Sequence, residues 1–129
     1  MPAGIRHALE RAVHDARAAF DRQVARAEQI VERAEDEHYR AINASATKIA
    51  ELQSQLETFE GLEHERFARE TRTELAQLDT NHREVVASAN KKLEQAYVDY
   101  LRSIQSAAVG MECSFNGARA RITSTPNEN

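Results

Sequence analysis

No proline stands between Pro2 and Pro126, and between Gly4 and Gly110 the only glycine is Gly61. Helix is therefore permitted over about 105 residues, which would reach roughly 155 Å at 1.5 Å per residue. Composition points the same way. Charged residues make up 29%, apolar residues 41% and aromatic residues only 5%, with no Trp. That mix suits a long helix or coiled coil better than a mixed globular fold.

The apolar residues of this stretch recur every 11 positions. One lane holds Leu9, Phe20, Val31, Ile42, Leu75, Val86 and Tyr97; a second holds Leu56, Phe67, Leu78 and Tyr100; a third holds Ile49, Leu93 and Ile104. A fourth, alanine-rich lane runs through Ala8, Ala19, Ile30 and Ala41. Of the 39 lane positions between residues 5 and 108, 29 are apolar, against 15 of the other 65, so the stripe is real. Eleven residues in three turns give a nearly straight or weakly right-handed stripe, unlike the left-handed heptad coil. Around Ile49, Leu52, Leu56 and Phe59 the spacing tightens to a heptad.

The fold class expected is all-α: a long coiled coil over residues 5–109, after a short lead at 1–4. Two forms are open. The phase set by Leu9 persists at Leu75 and Tyr97, which favours a continuous rod. The other form is a helical hairpin bending near Gly61, with Gly61 as the left-handed C′ residue and Leu62 folding back onto Leu56. Leu62-Glu63-His64-Glu65 offers no N-cap for a second helix, which also favours the rod.

Either form leaves apolar surface without a partner. A helix gains most of its stability from packing its apolar face, and each buried Leu, Ile or Phe contributes about 1.5–3 kcal/mol. Self-association is the expectation, through the lane residues just named. No oligomer number is readable.

The last strong local pattern spans residues 110–123. Asn116-Gly117 is the preferred pair for a type I′ turn. A two-residue loop would place Met111, Cys113, Phe115 and Ile122 on one face and pair Glu112 with Arg121 on the other. The expectation is a short C-terminal β-hairpin, docked on sister chains or on another protein because it is marginal alone. Residues 124–129 read as a flexible tail.

Little in the chain points to chemistry. Glu35-x-x-His38 has the spacing of a carboxylate-bridged di-iron helix, and Asp79-x-x-His82 echoes it. The only acids on the core lanes are Glu60, Glu63 and Glu74, none at the level of His38. Both histidines therefore read as polar core residues that set register. His7 and His14 read as an ordinary charged helix face. Arg66, Arg69 and Arg72 alternate with glutamates, as on a solvated face. Asn43-Ala44-Ser45 has the form of a glycosylation sequon, but lies in a helical stretch. No phosphate loop, catalytic triad or zinc spacing is present, so no cofactor and no enzyme activity are expected. A net charge of −4 gives no reason to expect nucleic acid. No leader segment and no membrane span are read, which suggests a cytoplasmic protein or a part of a large assembled particle.

Three functions fit this reading. One is a structural or assembly protein, a homo-oligomeric rod or bundle within a larger complex. A second is a binding module or inhibitor that docks through its tip; a hairpin of about 80 Å favours it, and a rod near 155 Å favours the first. A third, weakened by the alanine-rich stripe and the absence of Trp, is an amphipathic coat on lipid or polymer granules.

Overall fold

The computed structural model describes residues 3–124. Two helices, α1 (Ala3–Gly61) and α2 (Glu65–Ser124), account for all of them except Leu62, Glu63 and His64. The all-α class stands. One finer expectation does not, since residues 110–123 form no β-hairpin; and of the two open forms the chain takes the one that breaks near Gly61, not the favoured continuous rod.

The break is made by backbone geometry, and Gly61 is not its pivot. Glu63 takes the left-handed conformation, with φ at 59°, and no glycine has a positive φ. The His64 amide donates to the Phe59 carbonyl at 2.9 Å and the Glu63 amide to the Glu60 carbonyl at 3.1 Å. These are the six-to-one and five-to-two bonds of a Schellman motif, with Glu63 at C′ and His64 at C″. Gly61 is the last residue of α1, and a Cβ there would meet nothing within 4 Å. The helix thus ends on its glycine, and the chain reverses two residues later, at Glu63.

The second helix begins without a Ser, Thr, Asn or Asp cap. The His64 carbonyl accepts the Ala68 amide at 2.9 Å, so His64 holds the N-cap position. Glu65 follows in the first turn, where its charge suits the helix dipole. Ring packing helps to close the turn. Phe59 and Phe67 lie 5.5 Å apart between centroids, and His64 meets Phe67 edge-on at 5.9 Å.

At the C-terminal end, helix displaces the hairpin for a reason visible in the spacing. Met111, Phe115, Ala118 and Ile122 step by four, three and four, and all four are at least half-buried. They continue the 11-residue repeat: Ala89, Tyr100, Met111, Ile122; Leu93, Ile104, Phe115; Ala96, Ala107, Ala118. Asn and Gly within a helix cost together about 1.5 kcal/mol relative to Ala. Burying part of Met111, Phe115 and Ile122 offsets more than that. Alternation had put Cys113 on the apolar face; in the helix it is exposed. The tail expected from residue 124 meets the structure only at Ser124, the last residue of α2; residues 125–129 lie outside the described residues.

The chain divides into two compact units. The turn unit is Glu32–Ala96, and the terminal unit joins Met1–Val31 to Tyr97–Asn129. In the terminal unit the two helical segments run antiparallel. Ile5, Ala16 and Ala27, eleven apart, lie inside α1, as do Leu9, Phe20 and Val31; Tyr100, Ile104, Ala107 and Met111 answer on α2. In the turn unit α2 changes period. Ala68, Leu75, His82, Ala89 and Ala96 are seven apart, as are Thr71, Leu78 and Val85.

What is buried is small. The buried apolar residues are Ala16, Ala27, Ala107 and Ala118 in the terminal unit and Ala68 and Ala89 in the turn unit, with Thr71 beside them. No large side chain among the described residues is fully buried. The larger Leu, Ile, Val and Phe residues flank the alanines and stay partly exposed.

Candidate interaction surface

Within the turn unit a polar seam crosses the stripe. His38 Nε2 lies 2.8 Å from Asn90 Oδ1, and His82 Nδ1 lies 2.7 Å from Ser45 Oγ. Both histidines are half-buried. Each occupies a repeat position where an apolar residue would extend the core, and each is met by a neutral side chain from the opposite helix. Beside the seam lies a groove of about 800 Å³, lined by Ala34, His38, Ala41, Val85, Ser88 and Ala89 among others. Its lining also includes the charged side chains of Glu37, Glu84 and Lys92.

The di-iron spacing does not assemble a site. His38 turns to Asn90, and Glu35 is exposed. Asp79 pairs with Arg83 at 3.1 Å on the outer face. Among the described residues no three His, Cys, Asp or Glu side chains gather as a metal-binding group. His7 and His14 are exposed on α1.

At the turn, Arg72 bridges two acids. Its Nη2 donates to Glu60 Oε1 at 2.9 Å, and its Nη1 lies 3.5 Å from Glu65. The hydrogen bond to Glu60 is the main reason that the guanidinium holds its proton more tightly than usual; desolvation opposes it and the charge of Glu65 adds to it. Both partners of the Arg72–Glu60 pair are 47% exposed, so solvent screens the pair. Arg66 pairs with Glu70 at 3.5 Å, an exposed i, i+4 contact on the solvated face. Leu62, at 62% exposure, and Phe67, at 49%, present apolar surface around the turn.

The expected interface residues divide by exposure. Leu9, Phe20, Val31, Ile42, Ile49, Leu56, Leu75, Leu78, Val86, Leu93, Tyr100, Ile104, Met111, Phe115 and Ile122 are half-buried along the facing stripes. Phe67, Tyr97 and Cys113 are exposed. Lane counting missed Val98, Leu101 and Val109, which are exposed on α2. Leu101 lies four residues after Tyr97 and so shares its flank, a signal that was available.

In the terminal unit the two flanks of the helix pair differ. One carries shallow grooves, lined by Ala8, Ala12, Ala19, Ser114 and Ala118 at one level and by Gln23, Arg26, Ser103 and Ser106 at another. The second of these levels also holds Ile30, which is exposed; the other flank carries valines, a tyrosine and a leucine. Val13, Val24 and Val31 follow one another on α1 at steps of eleven and seven, and Tyr97, Leu101 and Ala108 on α2 at steps of four and seven. Helical spacing puts both rows on the side away from the grooves. No helix among the described residues is long and apolar enough to cross a membrane.

No family model matches this chain, and neither a curated protein nor a solved structure matches it.

Proposed function

We propose that the chain is a non-enzymatic assembly module, a coiled-coil helix pair that completes its core by packing against further copies in a bundle. One observation carries this reading: among the described residues the buried apolar ones are alanines, and no large side chain is fully buried. A pair of helices covers only part of an apolar stripe of about 100° on each, and a second pair covers the rest, as in four-helix bundles. The continuous rod that a spacer would need is not supported, so the scaffold takes the form of a bundle. Molar mass by light scattering tests the reading. A stable oligomer at micromolar concentration is expected, and a monomer under those conditions rules the reading out.

The turn supports a second reading, a module that docks on another protein through its tip. Its basis is the exposed Leu62 and Phe67 beside the 62–64 turn. The test is pull-down from a lysate with the parent chain and with a Leu62→Ser, Phe67→Ser variant of unchanged helix content. A partner kept by the parent and lost by the variant is the expected result; the same proteins retained by both exclude docking through the tip.

A further inference from the structure

We infer that a second copy of this chain seats on the groove of the turn unit, with its α2 antiparallel to the first, so that Glu84 of each copy meets Lys92 of the other. This rests on the self-association reading and gives it a face and an orientation.

The groove has an apolar floor and a charged rim. Ala34 and Val85 are half-buried in its lining and Ala89 is buried, whereas Glu37, Glu84 and Lys92 are exposed around it. On α2 the rim is self-complementary. Glu84 and Lys92 stand four residues before and four after Ser88, about 6 Å to either side of it along the helix. Residues eight apart are too distant to pair with each other as i, i+4 neighbours do. Neither has an ion-pair partner among the described residues. A two-fold axis at the level of Ser88 sets residue i of one copy against residue j of the other, and j against i. It therefore forms the Glu84–Lys92 pair twice, across the small Ser88 side chains. Asn81 and Gln95, seven residues to either side of Ser88, meet in the same way, and an amide both donates and accepts. A parallel contact in register would instead set like charge against like.

The charges decide the orientation more than the affinity; covering the apolar floor supplies the affinity. Glu37, on α1, has no base facing it in this arrangement, and at the exposed rim it keeps its water. The opposite flank of the turn unit offers a different surface. Helical spacing puts Glu35 and Tyr39 there on α1 and Asp79 and Arg83 on α2. Tyr39 is 69% exposed, but Arg83 is already held by Asp79 at 3.1 Å, so an acid from a second copy would have to compete with it.

The experiment is a charge exchange read by light scattering at low salt, with circular dichroism to follow helix content. Both positions are exposed, so neither change removes a core residue. Glu84→Lys and Lys92→Glu each place like charges opposite one another at two points of the contact. Each should raise the concentration at which the parent dimer dissociates by about tenfold. An equimolar mixture of the two variants restores opposite charges at both points, and so does the Glu84→Lys, Lys92→Glu double variant. Both should return to the parent midpoint. Single variants that associate as the parent does overturn the seat at this groove and leave self-association standing. Singles that weaken the dimer without rescue by the mixture or by the double variant overturn the antiparallel Glu84–Lys92 pairing. A monomeric parent overturns both this inference and the self-association reading.

Discussion

His82 Nδ1 lies 2.7 Å from Ser45 Oγ, joining α2 to α1 at a stripe position where a leucine would extend the core. The pair orients the two helices of the turn unit relative to each other, because only one register brings these groups together. Removing one partner should cost more than removing both. Ser45→Ala is expected to lower stability by about 0.5–1.5 kcal/mol. The double variant Ser45→Ala, His82→Leu should recover most of that loss. Urea denaturation midpoints of the singles and the double give the coupling; equal and additive losses would show that the contact contributes nothing.

The turn makes an unusual demand at Glu63 and none at Gly61. A non-glycine residue in the left-handed region costs about 1–2 kcal/mol. Glu63→Gly relieves that, against the greater freedom that glycine adds to the unfolded chain. A net gain of about 0.5–1 kcal/mol is expected. Gly61→Ala should also stabilise, by about 0.5–1 kcal/mol, because Gly61 is helical with open space around it. Thermal midpoints decide this, and destabilisation by Gly61→Ala would return the pivot to the glycine.

Asn116 and Gly117 sit inside α2, so replacing both by alanine should raise helix content and add about 1–1.5 kcal/mol. A Cβ at Gly117 meets only the end of the Arg121 side chain, at 3.7 Å. The same double change would destroy a type I′ hairpin. Far-ultraviolet circular dichroism with thermal melting separates the two outcomes.

The alanine cores set the distance between the helices. Ala68, at 1% exposure, has no room for a larger side chain. Ala68→Leu should destabilise by about 1–3 kcal/mol through overpacking. Ala46→Leu, at an exposed position on α1, should change stability by less than about 0.5 kcal/mol. Matched denaturation curves test the contrast.

Arg72→Met should weaken the turn only at low salt. Its pairs with Glu60 and Glu65 are half-exposed, and ions at about 1 M reduce the screening length to a few ångströms. Melting temperatures of parent and variant should therefore converge as salt is raised; a difference that persists would mean that the Arg72 side chain acts through packing.

The facing stripes were legible because a period of eleven survives in the plain order of residues. Leu9, Phe20, Val31 and Ile42 announced themselves. The turn was less legible, since its bonds are backbone bonds from Glu63 and His64, residues with no special turn propensity. Persistence of phase past Gly61 argued for a rod, yet a hairpin of two striped helices can keep that phase as well. Asn116-Gly117 misled for a different reason. A local turn signal competes with a helix already propagated over many turns, and Met111, Phe115 and Ile122 satisfy both periods. Extending the repeat beyond residue 108 would have chosen the helix. The polar seam was only half-visible: His38 and His82 stood out as interruptions, whereas Asn90 and Ser45 became their partners only once the antiparallel register was known.

Placing Asn116-Gly117 inside a helix also changes the chemistry of that peptide bond. Cyclisation of an asparagine needs the next backbone nitrogen to turn onto the side-chain carbonyl carbon, and Asn-Gly is the pair with least steric hindrance to that attack. In α2 the Gly117 amide is directed instead at the Cys113 carbonyl one turn back. The folded helix therefore protects the chain from ageing at its most vulnerable bond, and a copy that frays from its C-terminal end loses that protection first.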